Sequence, residues 1–178
     1  MTAVKQIIDG ATLTRILKRM AHEIVERNNG TDDLVIIGIK NKGTNIAKRI
    51  KEHIRLIEGT DLCLGELDIT PYRDDAEKKA VNTSDIDFSV HKKKVILVDD
   101  VLFTGRSVRA ALDGILYYGR PKEIQLAILI DRGHRELPIR SDYVGKNIPT
   151  SRDEFIIVKL DEGKEEENGV FITKGDLL

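Results

Sequence analysis

Two adjacent acids, Asp99 and Asp100, follow a run of four apolar, mostly β-branched residues at 95–98. Val101, Leu102 and Phe103 then lead into a short turn, Thr104-Gly105-Arg106-Ser107, and an amphipathic stretch at 108–118. The apolar run reads as a buried strand of the parallel kind, and the amphipathic stretch as a helix. Ligands of α/β sheets gather beyond the carboxyl ends of strands. The free N–H groups of such a turn and of the helix start attract an anion such as phosphate. Two carboxylates repel bare phosphate but suit sugar hydroxyls or a divalent cation. Residues 95–100 alone would fit a metal-binding carboxylate pair. With the turn attached, the pattern points to a ribose phosphate.

A second anion site is suggested by Lys40-Asn41-Lys42-Gly43, set between an apolar strand at 34–39 and a helix at 44–58. Arg73 lies in Thr70-Pro71-Tyr72-Arg73-Asp74-Asp75, at the start of a long polar segment, residues 70–93. Such segments are usually functional or disordered. Residues 85–90 alternate in period two.

The elements that would position these residues follow from periodicity. A strand is expected at 4–8. Leu13, Ile16, Leu17, Met20, Ala21, Ile24 and Val25 mark one face of a helix, with Thr12 as its N-cap and Asn28-Asn29-Gly30 as its end. Its second stripe carries Arg15, Lys18, Arg19 and His22, with Arg27 near its end. That is either a solvated face or a surface for phosphates. Further strands are expected at 61–69, 123–130, 154–160 and 170–173. The fold class is α/β, with a mainly parallel central sheet flanked by helices. Residues 131–150, dense in Arg, His and Pro, read as a long loop.

The chain has 178 residues and net charge -1, enough for one domain spanning 1–178 and without a global basic field. A nucleic-acid site would have to be a local patch. The one cysteine, Cys63, excludes an internal disulfide and is expected in the core of its strand. No signal-peptide core opens the sequence, and no apolar run approaches the ~20 residues of a membrane span. A soluble, cytoplasmic protein without a membrane role is expected.

The strand, acidic pair and Thr-Gly-Arg-Ser turn resemble the 5-phosphoribosyl-1-pyrophosphate (PRPP) signature of type I phosphoribosyltransferases. The resemblance implies that Asp99 and Asp100 contact the ribose hydroxyls and that Thr104, Gly105, Arg106 and Ser107 cradle the 5-phosphate, with Val101, Leu102 and Phe103 part of the same PRPP/UMP site. Lys40, Asn41 and Lys42 resemble the family's pyrophosphate loop, although other members carry a hydroxyl residue and Arg at the last two positions. Residues 70–93 resemble its flexible hairpin loop, in which Arg73 would meet the pyrophosphate with Tyr72 and Asp74 beside it. Asp131-Arg-Gly-His-Arg-Glu-Leu-Pro-Ile-Arg140 and Gly145-Lys-Asn-Ile-Pro-Thr-Ser151 are more restrictive. They resemble the hood of the bacterial pyrimidine-operon attenuation regulators, which also have uracil phosphoribosyltransferase activity. Ala21-His-Glu, Glu26-Arg-Asn28 and Tyr72-Arg-Asp-Asp75 extend the match.

That resemblance implies conversion of uracil and PRPP to UMP and diphosphate, with Mg2+ held mainly through PRPP and no dedicated protein metal site. Main-chain groups around Val144, Lys146, Asn147 and Ile148 would read the base, supported by Arg132. It also implies transcription attenuation through binding of pyrimidine-operon leader mRNA, tuned by uridine nucleotides (UMP or UTP). Arg15, Lys18, Arg19, His22 and Arg27, with His134, Arg135, Arg140 and Lys146 of the hood, would form the RNA surface. Homodimers or higher homo-oligomers are implied. A purine-salvage transferase without an RNA role and an RNA-binding regulator with weak catalysis are the alternatives.

Overall fold

The computed structural model describes residues 4–75 and 81–175. Strands β2 (Leu34–Ile39), β3 (Cys63–Leu67), β4 (Lys94–Leu102), β5 (Glu123–Asp131) and β6 (Tyr143–Asn147) form a parallel sheet in the order β3-β2-β4-β5-β6. The middles of its central strands, 34–39, 95–98 and 126–130, are apolar because both faces are covered. Successive side chains point to opposite faces. Leu34, Ile36, Ile96, Val98 and Leu129 pack under α1 (Gly10–Arg27) and α2 (Lys42–Glu58). Val35, Ile37, Val95, Leu97 and Ile128 pack under α3 (Arg106–Leu116). Each such side chain contributes about 1.5–3 kcal/mol by leaving water. The expected doubly covered α/β architecture is present.

A second, antiparallel sheet joins the two ends of the chain. Strand β1 (Lys5–Asp9) pairs with β8 (Gly169–Lys174), and β8 with β7 (Glu154–Lys159). Among the described residues, no helix is long and apolar enough to cross a membrane.

Several expectations are corrected. Helix α1 begins at Gly10, and Asp9 rather than Thr12 is its N-cap. The Asp9 carboxylate accepts the Thr12 N–H at 2.7 Å, since a carboxylate is an effective acceptor for the third helical amide. Helix α2 starts at Lys42, so Lys42 and Gly43 are helical rather than part of the loop. Strand β4 continues to Leu102, which puts the acidic pair inside the strand. Pairing of Asp99 with Ile128 and Val101 with Ile130 carries it there. The hood contains strand β6, where a loop was expected. Cys63 is exposed, because it opens an edge strand opposite Val35 at the end remote from the acids.

Residues 85–90 form no hairpin strand among the described residues. Their alternation instead packs the half-buried Ile86 and Phe88 against Gly65, with a single bridge between Glu66 and Asp85. The expected flexible loop at 70–93 falls partly on residues 76–80, which lie outside the described residues.

Candidate active site and cationic helix face

The carboxyl ends of β2, β3 and β4 open onto a cavity of about 460 Å3. Lys40, Asn41, Lys42, Asp68, Arg73, Asp99, Asp100 and Ser107 line it. A second hollow of about 240 Å3 is walled by residues 101–108 and shares Arg73, Asp99 and Ser107 with the first. The sequence-predicted Lys loop, acidic pair, Arg73 and Thr-Gly-Arg-Ser turn are thereby brought together.

Asp99 is buried, and Asp100 partly so. The Asp100 N–H donates to Asp99 Oδ1 at 2.9 Å, and the Val101 N–H to Asp100 Oδ1 at 2.9 Å. The second oxygen of each carboxylate has no hydrogen-bond partner among the described residues. Burial pushes the Asp99 carboxyl well above the usual range, and the charge of Asp100 adds to the rise. Two close acids with unused acceptors are suited to hydroxyl donors and to a nearby cation.

The helix starts complete the anion side. Helix α1 has a side-chain cap, whereas α2 and α3 have none. Both uncapped ends meet the cavity walls, at Lys42 and at Arg106–Val108, and neither carries an acid in its first turn. Their first amides and the helix dipoles favour phosphate there. Gly105 makes the turn into α3 with φ 93°, a conformation that favours glycine. The Lys40–Asn41 peptide is cis. Lys40 donates to the Thr83 carbonyl and lies 3.9 Å from Glu66. Arg73 pairs with Asp75 at 2.7 Å, and Arg106 with Asp74 at 3.1 Å and Glu136 at 3.3 Å.

Asp68 was not anticipated. It accepts hydrogen bonds from Thr70 N–H (3.0 Å), Thr83 N–H (3.2 Å) and Thr83 Oγ1 (2.7 Å), while its own N–H donates to Ser84 Oγ (2.8 Å). Burial pushes its pKa up, but the bonds from Thr83 and Thr70 outweigh that and hold it at about 2. Its oxygens are committed to the chain, so it anchors Thr70 and Thr83 rather than serving a ligand.

In the hood, Arg132 is buried and its guanidinium lies 4.0 Å from the centre of the Phe103 ring. It donates to Thr150 Oγ1 (2.9 Å) and the Ser151 carbonyl (3.1 Å), and burial lowers its pKa. His134 packs edge-on against Phe103. Its Nε2 lies 2.6 Å from the Thr150 carbonyl, an acceptor only, which assigns the proton to that nitrogen. His134 is thus engaged within the hood rather than displayed on an open surface, and Phe103 belongs to this aromatic platform as well as to the turn. Arg135 donates to the Ile139 carbonyl at 2.9 Å. Arg140, Lys146 and Asn147 are exposed. The main chain at 144–148 is less free than expected. Ile148 N–H donates to the Asp131 carbonyl at 2.9 Å, and the Val144 and Gly145 carbonyls accept from Arg19.

On α1, Arg15, Lys18, Arg19, His22 and Arg27 are all exposed on the face away from the core. Among the described residues, Arg15 bonds only Thr12 Oγ1, at 3.1 Å. Arg27 pairs with Asp142 at 3.0 Å and sits over the Tyr143 ring. The basic surface also extends to α2. His53 is held below its usual pKa by burial first and then by the charges of Lys18 and Arg49. Arg49 and His53 carried no sequence signal, because only helix packing brings them beside α1.

Among the described residues, no three His, Cys, Asp or Glu side chains converge on a metal site. A pair of acids with two open oxygens fits Mg2+ that arrives with its substrate and keeps few protein ligands.

A model of the phosphoribosyl transferase domain matches residues 3–162. The chain is 54% identical to the bifunctional protein PyrR of Caldicellulosiruptor bescii, covering 99% of this chain and 98% of that one. It is 56% identical to the pyrimidine operon regulatory protein of Lactococcus lactis subsp. lactis, covering 90% and 92%. Among solved structures, a hypoxanthine-guanine phosphoribosyltransferase from Bacillus anthracis shares the fold, with a TM-score of 0.72, 24% identity and 99% of each chain covered.

Proposed function

The chain belongs to the PyrR family of type I phosphoribosyltransferases, and we propose that it joins uracil to PRPP and uses the nucleotide site to govern binding of pyrimidine-operon leader mRNA. The observation that carries the transferase half is the pair of adjoining hollows, joined at Arg73, Asp99 and Ser107, that bring together the acidic pair, two uncapped helix ends and the Lys loop.

In the reaction, the bond from ribose C1 to the diphosphate oxygen breaks and a bond from C1 to uracil N1 forms. The diphosphate leaves with the bonding pair, and the N1 proton passes to solvent. Positive charge develops on the ribose as the bond breaks. Asp99 and Asp100 hold the ribose hydroxyls and offset that charge. The N–H groups of residues 104–107 hold the 5-phosphate. Lys40, Asn41, Lys42 and Arg73 receive the diphosphate, for which Lys40 exchanges its contact with Thr83 for a phosphate oxygen. Bound Mg2+ supplies charge neutralisation on the diphosphate. Phe103, backed by Arg132, offers a platform for the base, and main-chain groups near Lys146 and Asn147 read its edge. Holding both reactants in line accounts for much of the acceleration.

The regulatory half rests on the exposed cationic face of α1. Arg15, Lys18 and His22 have the fewest internal partners and are assigned to RNA phosphates and loop bases. Arg135, Arg140 and Lys146 of the hood extend that surface. The protein acts as a homo-oligomer, in which a two-fold axis doubles the basic surface and offsets the near-neutral net charge.

The test of the base assignment is turnover of uracil against hypoxanthine with PRPP and Mg2+. UMP formation with no measurable product from hypoxanthine is expected. The reverse preference would replace the uracil reading with purine salvage.

A further inference from the structure

We propose that Arg19 is a positioning residue of the base site, fixing strand β6 from helix α1 so that the RNA-facing helix and the base-reading strand move together. The inference rests on the base-site reading above. Arg19 reaches across 125 residues of chain to β6. Its guanidinium donates to the Gly145 carbonyl and to the Val144 carbonyl at 3.3 Å and 3.4 Å. Glu23 holds it from the side at 2.6 Å.

Among the described residues, strand β6 is the edge of the parallel sheet and pairs only with β5. Edge carbonyls require other donors. A planar fork of five N–H groups can serve two neighbouring carbonyls at once, which a lysine ammonium does less well. The grip falls at Gly145, where β6 packs tightly. A Cβ at Gly145 would lie 2.4 Å from the Leu129 carbonyl oxygen and 3.0 Å from Ile16 Cγ2 of α1.

Two further ties run along the same helix. Arg27 pairs with Asp142, whose other oxygen accepts the Leu126 N–H at 2.8 Å. Asn28, the C-cap of α1, donates from Nδ2 to Gln125 Oε1 (3.0 Å) and Tyr143 OH (3.2 Å), and Tyr143 OH donates to Gln125 at 2.5 Å. Residues 142–145 are therefore bound to α1 at every position, and Lys146 and Asn147 emerge immediately beyond. Lys18, one position earlier on the helix, has no hydrogen bond or ion pair among the described residues. Arg19 is a different kind of cation from its neighbours: its charge is already matched, and its donors are spent on strand β6.

The experiment compares Arg19→Gln and Arg19→Lys with the wild-type protein by steady-state kinetics, amide hydrogen exchange and RNA titration. Both variants are expected to raise KM for uracil about tenfold while KM for PRPP stays within about twofold, as misplacement of one reactant predicts. Both should accelerate exchange of the amides of residues 143–147 in ligand-free protein and shrink the gain in RNA affinity on adding UMP. Arg19→Lys keeps the charge, so a pure phosphate contact would leave its uracil KM and exchange rates as in wild type. That result overturns the proposal. So does a uniform change in both KM values with a lowered Tm, which marks general destabilisation. Failure of the wild-type protein to use uracil would instead overturn the base assignment, while the exchange arm still reads the grip on β6.

Discussion

Gly43, in the first turn of α2, lies directly against Asp99 at the end of β4: a Cβ at Gly43 would stand 3.2 Å from Asp99 Oδ1 and 2.5 Å from the Val98 carbonyl oxygen. The missing side chain lets the positive end of a helix approach an acidic pair closely. Phosphate and ribose can then be held side by side, although acid and anion repel each other.

Gly43→Ala tests that approach. Alanine raises intrinsic helix propensity by about 1 kcal/mol. The clash with β4 backbone should cost more, about 1–3 kcal/mol net, as overpacking does. Thermal melting should show a lowered Tm, and kinetics a raised KM for PRPP. A more stable variant with wild-type kinetics would show that the helix end does not need this proximity.

Asp99 carries a raised pKa because it is buried and faces the charge of Asp100. The free protein therefore retains its proton to higher pH than an ordinary aspartate. Donors on the ribose favour the ionised carboxylate, so binding of PRPP should release protons. Calorimetry in buffers of different ionisation enthalpy should read that release in wild type and its loss in Asp99→Asn. Wild-type enthalpies independent of buffer would contradict the assignment of the ribose to Asp99.

The acidic pair and its turn were legible in the sequence because they are contiguous, and local spacing alone fixes what sits beside what. Asp68 was not, because its meaning comes from Thr83, fifteen residues later in the chain. Strand β6 was hidden because five residues with an exposed polar end, Tyr143 to Asn147, lack an apolar run; their strand character comes from pairing with β5. Arg19 read correctly as an exposed helix cation, but its grip on the hood depends on tertiary packing that no periodicity encodes. Cys63 looked like core because its strand is apolar, but it falls at the strand's open end.

Asp68 has a folded pKa of about 2 against an ordinary value of 3.8. A depressed acid contributes stability that is complete above its unfolded pKa and is lost as pH falls through the folded one. The loss belongs between about pH 4 and pH 2. Asp68→Asn should flatten that part of the acid-stability curve and raise KM for PRPP, since the amide keeps one acceptor oxygen and turns an NH2 donor towards Thr70 or Thr83, which both need acceptors. An unchanged acid limb, measured by denaturation at each pH, would show that these bonds add nothing to stability.

Lys18, on the cationic face, should act on RNA through charge alone. Lys18→Gln should weaken binding of leader hairpin RNA regardless of loop sequence. It should also reduce the slope of log affinity against log salt by about 0.7–1, the value of one phosphate contact. An unchanged slope would remove Lys18 from the RNA surface.

The most direct measurement of the whole account is a titration of the wild-type protein with a pyrimidine-operon leader hairpin, with and without UMP. Tight, salt-sensitive binding that strengthens when UMP occupies the site is the predicted result. Binding that is absent, or that is indifferent to UMP while uracil is still converted, would contradict a nucleotide site read out through helix α1.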